Sequence, residues 1–284
     1  MQLVEFVIGR RGEQNPVGAF EKLGYGNWSF VGGLGLFSSL VTLAFYSVVG
    51  GWVLSYIVGS ATGAYFGDAG AYFGSVASGP VAIGTHAAFM LVTIGIVASG
   101  VTDGIERAAK FMIPAILVLL VALAAWATTL DGAAAGYEYY LSPDFGVIAS
   151  NFGSIVPPAM GQAFFTLSLG FGVMIAYSSY LGRDDSLPAD GAAIVVVNTL
   201  VALLAGFVVF PLLFATGGAG GAGGGAGTAF IAIAGAFGQL PAGGAIGIVF
   251  FIVLLFAALS SAISLLEVPV SYVSENFGYG RVPT

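Results

Sequence analysis

The sequence contains no cysteine and a single histidine, His86. A disulfide framework, a thiolate metal site and a multi-histidine metal site are therefore excluded. Charge is equally scarce: 7% of residues are Asp, Glu, Lys or Arg, against about a quarter in a soluble domain. The lysines are Lys22 and Lys110, and the formal net charge is −7, so there is no basic face for nucleic acid. No nucleophile–base arrangement and no paired carboxylates occur at a spacing suited to chemistry, which predicts that the chain is not an enzyme.

What the chain does have is hydrocarbon. Hydrophobic residues make up 58% of it, in runs that exceed the ~20 residues needed to cross a bilayer core. This predicts an all-α, polytopic membrane bundle forming one transmembrane domain over 1–284. Full spans are expected near 30–59, 80–102, 108–130, 158–182, 190–216 and 242–274. The basic residues test that map. Arg10, Arg11 and Lys22 precede the first span, Arg107 and Lys110 separate the second and third, Arg183 separates the fourth and fifth, and Arg281 follows the sixth. The intervening connections 60–79, 131–157 and 217–241 contain no Lys or Arg. All basic loops thus fall on one face, which the positive-inside rule makes cytoplasmic, and the plasma membrane is the expected location. The opening MQLVEFVI precedes Arg10 and Arg11, the reverse of a signal peptide. It is too short to span and reads as the end of a helix.

The outer connections are the longer ones. Residues 131–157 carry Asp131, Glu138 and Asp144 among Tyr137, Tyr139 and Tyr140. Residues 217–227 are a flexible Gly/Ala tract. It follows a membrane span and has no lysine or strand beside it, so it is not a phosphate loop. The apolar segment 228–241 is too short to cross. It reads either as a re-entrant or lid-like element over a cavity or as an ordinary loop helix.

Polar groups inside the membrane are costly unless partnered, and four places concentrate them. In QAFFTLSLGFG, residues 162–172, Ser168, Gly170 and Gly172 weaken the fourth span near its middle, since Gly costs about 1 kcal/mol against Ala. A helix broken there near 168–172 exposes backbone groups that can hold substrate and ions; a small-residue packing face is the competing reading. Asn198 offers a neutral oxygen in an apolar span, suited to a hard cation or to a bond with a neighbouring helix. Ser260 and Ser261, with Ser264 one turn on, could coordinate sodium or bond back to carbonyls one turn earlier. Tyr46, one turn after Thr42, needs a partner for its hydroxyl. Glu267, toward the cytoplasmic end of the sixth span, could carry a proton, but reads first as a structural hydrogen-bonding or snorkelling group, and His86 reads as a satisfied packing residue.

At these residues the chain resembles the neurotransmitter:sodium symporter family, which has the leucine-transporter fold with its inverted repeat. The stretch GQAFFTLSLGFGVMIAYSSYL (161–181) is similar to the family's broken sixth helix. GIERAAKFMIP (104–114), YEYYLSPDF (137–145), NTLVALLAGFVVFP (198–211) and FAALSSAISLLE (256–267) support the match. The resemblance implies a segment running from the end of family helix two through helix eight, incomplete at both ends. It implies Thr166 and Asn198 as side-chain ligands of a first sodium ion. The Ala257 carbonyl with Ser260 and Ser261 would serve a second. Tyr46 would bond the substrate carboxylate, and Thr42, Phe165, Ser168, Phe171 and Leu265 would surround the substrate, with Phe165 as an aromatic cover. Tyr180 and Glu275 would belong to an inner gate. Gln162 and Thr166 match chloride ligands of the family, but Ala202 stands where a serine would complete that set. Neither Asn198 nor Ala202 is the acid found in chloride-independent members, so chloride dependence is left open.

The implied activity is sodium-coupled symport of amino acids or related amines by alternating access, with no cofactor beyond the coupling ions. The expected partners are a hydrophobic or aromatic amino acid, sodium, the lipid bilayer and, as an open option, a second copy in a homodimer. The competing readings are an inactive or split fragment of such a transporter and a channel subunit. Rings of like charge that would favour a channel are missing.

Overall fold

The computed structural model describes residues 1–182, 184–217, 225 and 227–280. Arg183, Arg281 and most of the Gly/Ala tract lie outside the described residues. Helix is the regular structure throughout the described residues. α1 (Gln2–Gly12) ends in a left-handed residue, Glu13. α2 (Pro16–Lys22) opens on Asn15, whose side chain accepts from the amides of Val17 and Gly18, with Pro16 at the first helical position where its missing N–H costs nothing. A 3-10 turn, Gly26–Trp28, leads into the long α3 (Ser29–Thr62). α4 (Ala69–Val76), capped by Asp68, and α5 (Gly79–Ala98) follow. A π-helical turn, Val101–Glu106, runs into α6 (Arg107–Ala127). α7 (Ala133–Leu141) and α8 (Phe145–Ser150) follow, with Pro143 between them and Asp144 capping the second. α9 (Phe152–Thr166) and α10 (Val173–Ser178) are separated by the break discussed below. Then come α11 (Leu187–Ala215), a π-helical turn Thr228–Ile233, α12 (Ala234–Phe237) and α13 (Gly243–Phe277).

Among the described residues, five helical stretches are long and apolar enough to cross a membrane: Gly26–Thr62, Gly79–Ala98, Val101–Ala127, Leu187–Ala215 and Gly243–Phe277. The pair α9 and α10 would make a further crossing but is divided into pieces of 15 and 6 residues. The centre of the bundle is α13 lying along α3, with α5 and α6 against them. Small residues allow the close approach: a Cβ on Gly51 of α3 would sit 2.7 Å from the backbone nitrogen of His86 in α5. In lipid, where apolar side chains gain little by leaving one hydrocarbon for another, such close packing carries much of the helix association. The reading of His86 as fully satisfied is corrected here. Its Nδ1 is buried without a hydrogen-bond partner among the described residues.

Toward the α4 side of the bundle, Tyr56, Tyr65, Tyr72, Phe230, Phe237 and Phe251 form a dense aromatic cluster. Tyr56 is fully buried, and its hydroxyl donates to the Phe230 carbonyl at 2.6 Å. The Tyr72 hydroxyl donates to the Ser55 carbonyl at 2.8 Å, and the Tyr65 and Ser60 hydroxyls lie 2.7 Å apart. The turn and short helix within 228–241 contribute Phe230, Ile233, Ala234 and Phe237 to this core. The segment is packed into the cluster, and among its described residues none lines the cavity described next.

Candidate binding site at a broken helix

α9 ends because residues 168–172 leave helical geometry. Ser168 has φ +53, Gly170 +83 and Gly172 +76. Left-handed backbone costs a residue with a Cβ about 1–2 kcal/mol, so two glycines carry most of this turn. Gly172 is required twice over, because a Cβ there would also meet the Pro16 ring at 2.9 Å. The break frees main-chain donors and acceptors that helical pairing would otherwise consume. One is claimed by a residue that the sequence reading missed. The Gly170 amide donates to Oε1 of Glu5 in α1 at 2.9 Å. Glu5 is 6% exposed, and its Oε2 has no partner among the described residues. The available signal was an acid inside the apolar MQLVEFVI, but only tertiary contact says which backbone it meets.

Beside the break lies a cavity of about 610 Å³. All the residues expected to serve sodium and substrate line it. Thr166, Asn198, Ala257, Ser260 and Ser261 come from α9, α11 and α13; Thr42 and Tyr46 come from α3; Phe165, Ser168 and Phe171 come from the broken element; Leu265 comes from α13. Gln162 also faces the cavity, and Ile113, Ile116 and Val201 add apolar wall that the sequence reading did not name. Among the described residues, no charged side chain lines it.

The polar groups are arranged in pairs. The Thr166 hydroxyl donates to Oδ1 of Asn198 at 3.0 Å, so two neutral side-chain oxygens from different helices meet at one point. The Tyr46 and Ser261 side chains face the same cavity. The Ser260 hydroxyl donates to the Ala257 carbonyl at 2.9 Å, the back-bonded geometry that an unliganded helix serine adopts. The Ser264 hydroxyl donates likewise to the Ser260 carbonyl, and the Tyr177 hydroxyl to Ser264, each at 3.0 Å. Phe165 stands between two aromatic neighbours, with ring centroids 6.2 Å from Tyr46 and 6.0 Å from Phe171. It is itself 40% exposed.

The two expected gate residues are elsewhere. The Tyr180 hydroxyl donates to Oε1 of Glu267 at 2.7 Å. Glu267 is completely buried, so the hydrogen-bonded reading describes it and snorkelling does not. Oε2 of Glu275 accepts from both the backbone and the side-chain nitrogen of Asn15, at 2.6 and 2.8 Å. Asn15, 1% exposed, is a second residue that the sequence reading missed. It caps α2 and ties it to the end of α13.

These features define a class: a multi-pass α-helical membrane protein whose interrupted helix opens onto a cavity of neutral oxygens and aromatic rings. The sequence profile of the sodium:neurotransmitter symporter family matches residues 77–282. Over 277 residues the chain is 39% identical to an uncharacterised sodium-dependent transporter, YhdH, of Bacillus subtilis, covering 95% of this chain and 60% of that protein. An uncharacterised sodium-dependent transporter of Haemophilus influenzae is 36% identical over 291 residues, 97% of this chain and 63% of that protein. The crystal structure of MhsT in complex with L-phenylalanine aligns with a TM-score of 0.87 at 41% identity, covering 99% of this chain and 64% of that one. The chain therefore belongs to the sodium:neurotransmitter symporter family and has its all-α, leucine-transporter-like fold. It spans between 60% and 64% of the length of these relatives.

Proposed function

We propose that this chain forms the ion- and substrate-holding part of a sodium-coupled amino-acid symporter of the plasma membrane, with its basic loops cytoplasmic. The observation that carries the reading is the convergence of neutral oxygens on the broken helix. Sodium prefers oxygen ligands. Thr166 and Asn198 supply one set; the Ala257 carbonyl with Ser260 and Ser261 supplies another once the serine hydroxyls turn away from their back-bonds. The substrate's carboxylate meets the Tyr46 hydroxyl and main-chain amides of the break, and its side chain lies among Phe165, Phe171 and Leu265. The bound phenylalanine of MhsT fits this assignment, because a cavity of about 610 Å³ with aromatic walls suits a hydrophobic or aromatic amino acid. Sodium entering down its gradient supplies the work, and a membrane potential adds about 2.3 kcal/mol per charge per 100 mV. Tyr180 and Glu275, each already hydrogen-bonded across helices, act as contacts that break when the inner side opens.

A second reading is favoured by one observation: α9 contains no buried residue, so its side of the cavity is open. On this reading the chain folds but needs a further element to close the site. The test has two arms. Binding of labelled L-phenylalanine is measured for the chain in sodium and in potassium. The same measurement is made on a chimaera in which this chain replaces the matching portion of MhsT. Sodium-dependent binding in both arms supports the first reading, and binding in the chimaera alone supports the second. No sodium dependence in either arm removes the transporter assignment.

A further inference from the structure

At the far side of α1 from the broken helix, a separate groove of about 340 Å³ opens between α1, α2 and the start of α3. Its walls are Val7, Ile8, Phe20 and Leu23, and one charged side chain, Arg11, stands among them. Tyr25 and Trp28 complete the lining. They are 63% and 57% exposed, and Trp28 stacks on Phe30 at 6.1 Å. These aromatics stand at the entry of Gly26–Thr62, a membrane-length helical stretch. That is where Trp and Tyr mark the headgroup level of a bilayer.

The neighbouring cations are already engaged. The Arg10 guanidinium donates to the Asp185 carbonyl at 2.7 Å, and Lys22 pairs with Glu13 at 3.0 Å. Arg11 makes no ion pair or side-chain hydrogen bond with a described residue. We propose that this groove seats an anionic phospholipid, with its phosphate on the Arg11 guanidinium and its glycerol and first methylenes against Val7, Ile8, Phe20 and Leu23. The guanidinium fork matches a phosphate's paired oxygens. The apolar walls give a soluble phosphate nothing and a lipid tail a surface. The proposal does not depend on transport.

The test uses the full chain in nanodiscs of phosphatidylcholine with phosphatidylglycerol mixed in, and native mass spectrometry to read which lipid stays bound. Wild type retains phosphatidylglycerol in preference to phosphatidylcholine. Arg11→Gln lowers that preference about fivefold, the effect of one basic residue near a lipid surface, and Arg11→Lys keeps most of it. Arg107→Gln is the control: Arg107 is equally basic but already paired with Asp103 at 3.1 Å, and its loss leaves retention unchanged. Unaltered retention in Arg11→Gln, or an equal loss in Arg107→Gln, overturns the site. Added inorganic phosphate leaves the lipid bound; displacement would mean a free-phosphate site and overturns the lipid assignment. Should Arg11→Gln not fold, photoactivatable phosphatidylglycerol on wild type still decides the matter. It labels the peptides bearing Leu23 and Trp28 more than a phosphatidylcholine probe does, and equal labelling overturns the proposal.

Discussion

The aromatic cluster around Tyr56 and the cavity around Phe165 use the same materials, rings and hydroxyls, to opposite ends. In the cluster every ring is wedged against others, and the Tyr56 and Tyr72 hydroxyls each reach a fixed backbone carbonyl. At the cavity the Thr166 hydroxyl meets the Asn198 side chain of another helix, the Ser260 hydroxyl bonds back to the Ala257 carbonyl of its own helix, and Phe165 is two-fifths exposed. A polar group with a permanent partner contributes stability. One whose partner is a rotatable hydroxyl or a back-bond can be recruited by an ion at little cost. The difference separates the scaffold from the proposed site within one bundle.

Substitutions at the two places should therefore fail differently. The largest effect on binding is expected for Asn198→Leu. Sodium-dependent binding of L-phenylalanine should be lost by more than tenfold, while thermal unfolding in detergent is little changed. Unaltered sodium dependence would remove Asn198 from the ion site. Tyr56→Ala should do the reverse. It should cost about 3–5 kcal/mol of stability, as large aromatic truncations in cores do, seen as a lowered melting temperature, with the affinity of the protein that remains folded unaffected. Gly172→Val should act on both properties at once. Positive φ and the nearby Pro16 ring should cost about 1–3 kcal/mol and weaken substrate binding as well, measured on the same samples by melting and by ligand titration. The smallest change is expected for Phe165→Leu. Losing its aromatic contacts should reduce affinity for L-phenylalanine by about 1 kcal/mol without moving the melting temperature. A large drop in melting temperature there would mean that Phe165 belongs to the scaffold after all.

Much of the architecture was legible from residue order alone, and the reason is the lipid. A crossing segment must satisfy its backbone within itself, so long apolar runs declare α3, α5, α6, α11 and α13 with no knowledge of their neighbours. Ser168, Gly170 and Gly172 likewise mark a weak point through local backbone preference, though a packing face remained an equal reading until their positive φ angles were seen. Other features were not local. Glu5 meets Gly170 across 165 residues, and Asn15 meets Glu275 across 260. The segment 228–241 could equally have covered a cavity, and only its neighbours Tyr56, Tyr65 and Phe251 draw it into the core. By itself the sequence determined where helices run and where one of them cannot continue, because those outcomes depend on each residue's own backbone and its solvent. The tertiary structure decided which oxygen faces which, because hydrogen-bond partners far apart in the chain are chosen by how the helices pack.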